Sequence, residues 1–364
     1  MTRGQNQPQL TTFGQLPGWA AANHQLSLEA FQRSASEIID IGRGFSRVAQ
    51  FGGNRDNWLE TCEAALSATD PTSFFEAWFR PYRVFDSARP EGLFTGYYEP
   101  EASGSRIKSA RFHVPLYRRP PELIALKPNG PDELKYGELH NGSPHEFFSR
   151  SEIETGALEG RGLEICWLES QVDAFFIHIQ GSGRIKLDEG GTLRLAFAAK
   201  NGLPYTSIGA ALLAKGIGTS ETMSMQFLRN WMSENPIPAQ QLMWENKSYI
   251  FFREIDVLDP NLGALGAAQV NLTPLRSLAV DRSYWMFGTP LWLNTKTPPE
   301  SSIGETPFQH LMIAQDTGTA IRGLQRGDVY WGWEPDAVIN AGHMKSHGEM
   351  FALLPNKVAA SLGL

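Results

Sequence analysis

Between Gln309 and Trp333 the chain reads QHLMIAQDTGTAIRGLQRGDVYWGW, two strand-like apolar runs on either side of a glycine-containing turn. This pattern commits the C-terminal end to β structure. It also places two carboxylates, Asp316 and Asp328, 328 − 316 = 12 positions apart. If HLMIAQD is a strand, Met312, Ala314 and Asp316 share one face and Leu311, Ile313 and Gln315 the other. In DVYWGW, Asp328, Tyr330 and Gly332 share a face, which leaves Trp331 and Trp333 on the opposite side as packing residues. Paired as a hairpin around TGTAIRGLQRG, the two strands would bring both aspartates to one end. Burial and a neighbouring like charge each raise a carboxyl pKa. A carboxyl still protonated near neutrality is what a general acid for glycosidic cleavage needs.

Two other readings fit the same letters. Aspartate beside glycine is common in turns, where it bonds its own backbone. Asp316-Thr317-Gly318 is also the D-T-G of aspartic peptidases, which need two such aspartates sharing a proton. The chain has no second D-T-G or D-S-G, and Gln315 stands where that pattern wants an apolar residue. Only a dimeric version of such an enzyme is left open.

Further short strands, SLAVD, TPLWLNT and EMFALL, surround this segment and suggest a small barrel. The N-terminal quarter reads as helix instead. NHQLSLEAFQRSASEII has helical apolar spacing with Asn23 as a cap, a second helix spans Asp56 to Ala68, and Pro71 opens a third. At 364 residues the chain exceeds the roughly 250–300 at which single cores stop growing, so two domains are expected. The texture changes near Ser103, and strands restart near Asp256. Between them, DAFFIHIQGSGRIKLDEGGTLRLAFA alternates as a hairpin turning at EGG. Ser220 to Ser233 and the residues near Pro238 read as helices, and NKSYIFFREI as a strand from Tyr249.

A net charge of −7 without a basic stripe excludes nucleic acid as a partner. Cys62 and Cys166 form no metal pattern and read as buried thiols rather than a disulfide. No run approaches the about 18 apolar residues of a membrane span. The opening MTRGQNQPQLTTFG shows no apolar segment or cleavage-like site, so no export signal or lipid-attachment cysteine is read there.

Seven segments occur in order: GLFTGYYEPE, FFIHIQGSGRIKL, NGLPYTSIG, MSMQ, NKSYIFFRE, SLAVDRSYWMFGTPLWL and AQDTGTAIRGLQRGDVYWG. Together they resemble the MltA family of membrane-bound lytic murein transglycosylases. The last two are similar to its C-terminal 3D module, named for three aspartates that match Asp281, Asp316 and Asp328. The resemblance implies a mainly β protein with N-terminal helices and two domains across a groove. One is a double-psi β-barrel (1–103 and 256–364), and the other a smaller inserted β-domain (104–255). It implies non-hydrolytic cleavage of the β-1,4 bond between N-acetylmuramic acid and N-acetylglucosamine in peptidoglycan, leaving 1,6-anhydro ends. Asp328 is then the single acid and base, Asp316 its supporting neighbour, and Asp281 a structural aspartate. Thr95, Tyr97, Tyr98, Gln180, Ser182, Gln226 and Tyr330 are the implied glycan contacts. Neither metal nor cofactor is implied. The implied partner is the glycan strand, the place the cell envelope, periplasm or outer membrane, and the state a monomer. A silent peptidoglycan-binding barrel is the alternative from another class. The family commonly has a second glycine after D-T-G where this chain has Thr319, which would be strained if that position needed positive φ.

Overall fold

The computed structural model describes residues 8–86, 89–126, 136–219, 222–256, 259 and 261–364. The chain forms two compact units, Met1–Tyr98 with Asp259–Leu364, and Glu99–Leu258.

In the first unit, six strands close into a barrel: β1 (Gly92–Tyr97), β2 (Ser277–Val280), β3 (Pro290–Lys296), β4 (Pro307–Asp316), β5 (Arg326–Tyr330) and β6 (Lys345–Pro355). Around the barrel the order is β6-β3-β4-β2-β5-β1, and β1 pairs back onto β6. The pairs β2/β4 and β5/β1 are parallel and the other four antiparallel. One face of each strand fills the barrel, with Phe94, Leu278, Val280, Leu291, Leu293, Met312, Ala314, Val329 and Met350 in one apolar cluster. The other face of β3, β4 and β6, through Trp292, Leu311, Ile313, Phe351 and Leu353, packs on the N-terminal helices.

Those helices follow the sequence signals closely. α1 spans Gln25–Asp40 and buries Leu28, Phe31, Ala35 and Ile38; the Asn23 side chain accepts from the Gln25 amide at its start. α2 spans Asp56–Ser67, and α3 spans Pro71–Trp78 with Asp70 capping the Ser73 amide. Cys62 is a free, buried thiol, as is Cys166 in the second unit, and burial pushes both up to about 12.

The two aspartate strands do not form a hairpin. β2 lies between them, parallel to β4 and antiparallel to β5. Simple alternation also fails at Asp316. The pairing of β2 with β4 slips between Leu278 and Ala279, leaving Gln315 as the extra residue. Met312 and Ala314 point into the barrel, whereas the bulge turns Asp316 to the outer face, the usual effect of an inserted residue. Gln315 anchors this bulge without any exposure. Its amide nitrogen donates to Ala30 O and Ser34 Oγ, both at 2.8 Å, and its carbonyl accepts from Ser277 Oγ at 2.5 Å. Gln315→Leu is therefore expected to strand buried polar groups and cost about 2–4 kcal/mol, read as a lower thermal midpoint. A midpoint equal to wild type would sink this account of the bulge.

In the second unit a six-stranded sheet runs in the order 250–254, 192–200, 182–187, 101–105, 164–168, 114–117. Among the described residues, 101–105 pair within this sheet, so 99–103, which the resemblance grouped with the barrel, pack here instead. The expected hairpin forms only from Ser182 onward, turning through Gly190 and Gly191. Gln171–Gln180 is helical rather than extended. Ser170 caps it by accepting from the Asp173 amide, and the consecutive run Ala174 to His178 is buried all round. A short apolar run buried on every side has no periodicity to tell helix from strand. The expected helix from Ser220 starts in residues outside those described, and the helix seen is Met225–Glu234; Pro236–Glu245 follows. Among the described residues no helix is long and apolar enough to cross a membrane.

Candidate active site

Strand register assembles the site. Asp316 on β4 and Asp328 on β5 both face Ala279 of β2, and Asp328 in turn faces Thr95 of β1. Directly opposed residues project from the same side of a sheet. The outer face of the barrel therefore carries one row, Asp316–Ala279–Asp328–Thr95, with a methyl group as the only side chain between the two carboxylates.

Their environments differ. Asp316 accepts three hydrogen bonds: from the Ala267 amide at 3.0 Å, the Thr317 amide at 2.9 Å and the Tyr97 hydroxyl at 2.9 Å. Asp328 accepts one, at Oδ1, from the Thr95 hydroxyl. Burial lifts both carboxyls above their ordinary value. For Asp316 that lift is opposed by its three donors. For Asp328 it is opposed by Thr95 and the Arg326 guanidinium and reinforced by the charge of Asp316. Donors to a carboxylate favour its ionised form. Asp316 thus has the support to hold a negative charge, and that charge helps keep a proton on Asp328. Tyr97 stays a phenol, its hydroxyl driven well above its usual range by burial and by Asp316.

Asp281 is almost fully buried and does a different job. Its Oδ1 accepts from the Ser283 amide and hydroxyl at 3.0 and 2.7 Å, and its Oδ2 from the Gly323 amide at 2.9 Å. Burial alone would raise its pKa, but these donors and Arg322 hold it below the ordinary value. It ties down the loop joining β4 to β5, where Gly323 takes φ +123°. In that loop neither Gly318 nor Thr319 has positive φ, so the threonine carries no backbone strain.

Two residues read from sequence as glycan contacts are packing groups. Tyr98 is 3% exposed and belongs to the barrel core. Tyr330 is 1% exposed and lies with Ala264 and Leu272, its ring 5.3 Å from that of Tyr97. Its place is behind Tyr97. Trp331 packs in the barrel core as alternation required. Gly96 explains the glycine of TGYY, because a Cβ there would lie 2.6 Å from Trp331 Nε1 and 2.7 Å from Ala341 Cα. In the second unit, Gln180 ends the helix Gln171–Gln180, Ser182 opens the next strand, and both are partly exposed. Gln226 is exposed near the start of Met225–Glu234 and donates to Asn230 Oδ1 at 2.6 Å.

Arg326 was missed from sequence. It donates to Thr95 Oγ1 at 2.7 Å and also bonds the carbonyls of Leu93 and Gly327. The available signal was its position two residues before Asp328 on one strand face. The Ala267 amide carried no such signal. Among the described residues no three His, Cys, Asp or Glu side chains gather to hold a metal ion.

Comparison with known proteins agrees with this architecture. Residues 93–253 match the MltA specific insert domain, and residues 276–354 match the 3D domain. A crystal structure of the membrane-bound lytic murein transglycosylase from Agrobacterium tumefaciens superposes with a TM-score of 0.87 at 34% identity, covering 97% of this chain and 99% of that one. The chain belongs to the MltA family of membrane-bound lytic murein transglycosylases. A second MltA relative, the membrane-bound lytic murein transglycosylase A of Vibrio cholerae, is 32% identical over 268 residues, which are 72% of this chain and 65% of that protein, just under two thirds. The structure of Escherichia coli MltA with bound chitohexaose is 25% identical, with a TM-score of 0.70 over 98% of this chain and 97% of that one.

Proposed function

We propose that this protein is a lytic transglycosylase that cleaves the β-1,4 bond between N-acetylmuramic acid and N-acetylglucosamine in peptidoglycan, leaving a 1,6-anhydro end. One observation carries the reading: of two carboxylates in one row, one accepts three hydrogen bonds and the other, among the described residues, keeps an oxygen without a protein partner. Ordinary glycosidases need a second carboxyl as nucleophile or base. Here the 6-hydroxyl of the muramoyl residue takes that part. Protonated Asp328 gives its proton to the glycosidic oxygen, and the C1–O bond breaks with its electron pair leaving on that oxygen. The resulting carboxylate removes the proton of the 6-hydroxyl as O6 closes on C1. The proton lost is regained, so no water is consumed.

Asp316 supports this cycle as a fixed negative charge beside the acid. The chitohexaose held by the E. coli relative is a β-1,4-linked hexasaccharide of N-acetylglucosamine, which supports a glycan strand as partner. Thr95, Tyr97, Gln180, Ser182 and Gln226 are the residues proposed to contact glycan. The family name points to the cell envelope as the place of action.

Digestion of purified sacculi with product mass spectrometry tests the proposal. Anhydro ends are expected; reducing ends would mean a hydrolase, and intact sacculi a silent binding barrel. Asp316→Asn is expected to stay folded and lose roughly 10-fold or more in rate, as a group acting on the acid rather than on the bond. A folded variant with full activity would remove Asp316 from the mechanism.

A further inference from the structure

We infer that Arg326 and Thr95 are positioning residues that fix which oxygen of Asp328 carries the transferable proton, reserving Oδ1 as an acceptor and leaving Oδ2 to meet the glycosidic oxygen. The inference rests on Asp328 being the acid and base.

Two contacts and one open oxygen carry it. Arg326 Nη2 donates to Thr95 Oγ1 at 2.7 Å, and a guanidinium has no acceptor to offer in return. The threonine hydroxyl has a single proton, and it is directed at Asp328 Oδ1. A hydroxyl that already accepts from a cation is a stronger donor and a poorer second acceptor, since hydrogen bonds in a chain polarise one another. Oδ1 is therefore held as the carbonyl-like oxygen of the protonated acid. Among the described residues the hydrogen bond to Asp328 falls on Oδ1, and none is made to Oδ2. Strand geometry keeps the relay in register. Arg326 and Asp328 are two apart on β5 and share its outer face, and Thr95 is the direct partner of Asp328 on β1.

The consequence is chemical. A carboxyl free to carry its proton on either oxygen spends part of its time with the proton turned toward the barrel. One locked by the relay presents it outward in every molecule, and after the bond breaks it presents the same atom as base to the 6-hydroxyl. Both half-reactions then run through Oδ2. The acid and base roles of a single residue require that its reacting atom need not change.

Infrared difference spectroscopy reads the locked oxygen directly. Protein labelled with 13C at aspartate side-chain carboxyls is cycled through the ionisation of Asp328 without substrate, and the same cycle of Asp328→Asn is subtracted to isolate the band. If Oδ1 is the carbonyl oxygen, its stretch is lowered by the Thr95 hydrogen bond and rises in Thr95→Val. Thr95→Ser should keep the wild-type band, and Arg326→Gln should broaden it toward two positions. Cleavage rate should fall about 10- to 100-fold in Thr95→Val and stay within about threefold of wild type in Thr95→Ser. A carbonyl band that does not move in folded Thr95→Val overturns the inference, because the proton would then sit on Oδ1. So would a Thr95→Val enzyme of full activity. Loss of the acid–base reading itself would show separately, as an active Asp328→Asn enzyme.

Discussion

Asp328→Asn is expected to reduce release of anhydro-ended fragments by about 10²–10⁴-fold, the range contributed by a positioned acid–base group. Asparagine keeps the shape and can still accept from Thr95, but it has no proton to give and cannot receive the one from the 6-hydroxyl. The loss should fall on kcat, since every proposed glycan contact keeps its own side chain. The same variant should not be less stable, which separates chemistry from folding. Burial and then the charge of Asp316 raise the Asp328 pKa in the folded state, outweighing Thr95 and Arg326. As pH climbs past the ordinary carboxyl value of 3.8, the unfolded chain ionises first and is favoured. The folded state therefore loses stability until pH passes the raised folded value. Asparagine removes this penalty, so at neutral pH the variant should melt no lower than wild type. Sacculus digestion and a thermal melt on one preparation decide the matter. Full activity in a folded variant would end the assignment of Asp328.

The largest loss of stability is expected from Glu99→Ala. Glu99 is 1% exposed and lies between two arginines, with Arg184 Nε at 3.0 Å, Arg194 Nε at 3.1 Å and Arg194 Nη2 at 3.0 Å. Both arginines are themselves buried. Burial raises the Glu99 pKa even against Arg194 and Arg184, so desolvation consumes much of the attraction in this triad. Removing one partner differs from never having built the pair. Two buried guanidinium groups lose their shared counter-charge, at a cost of about 3–5 kcal/mol. For a unit of this size the thermal midpoint should drop on the order of 10 °C. Glu99→Gln keeps the acceptor and should lose less. A Glu99→Ala protein melting within about 2 °C of wild type would show that the triad stabilises little.

Local chemistry in the chain was enough to set the strand content of the C-terminal end, the three N-terminal helices, the buried thiols and the face shared by Asp328 and Tyr330. These rest on signals that span a few residues: alternation, caps, a proline in a first turn. The helix Gln171–Gln180 was misread because a run buried on every side carries no period. The exposure of Tyr98 and Tyr330 was misread because a tyrosine in a motif looks the same in the core and at a surface.

The carboxylates of the Gln309–Trp333 segment show the division best. Sequence alone determined that two aspartates stand in strand-forming runs twelve positions apart, and the family's motifs ranked one above the other. Only the tertiary structure decided how they meet. They come together not across a hairpin but on either side of Ala279, a residue 316 − 279 = 37 positions before one and 328 − 279 = 49 before the other. Asp316 reaches the outer face only because Gln315 bulges to bond α1, nearly three hundred residues away in the chain. Strand order and bulges are set by contacts distant in sequence, to which a period of two is blind. The inequality of the two acids has the same origin. It follows from the Ala267 amide, Tyr97, Thr95 and Arg326, donors that strand pairing and a loop bring to each carboxyl.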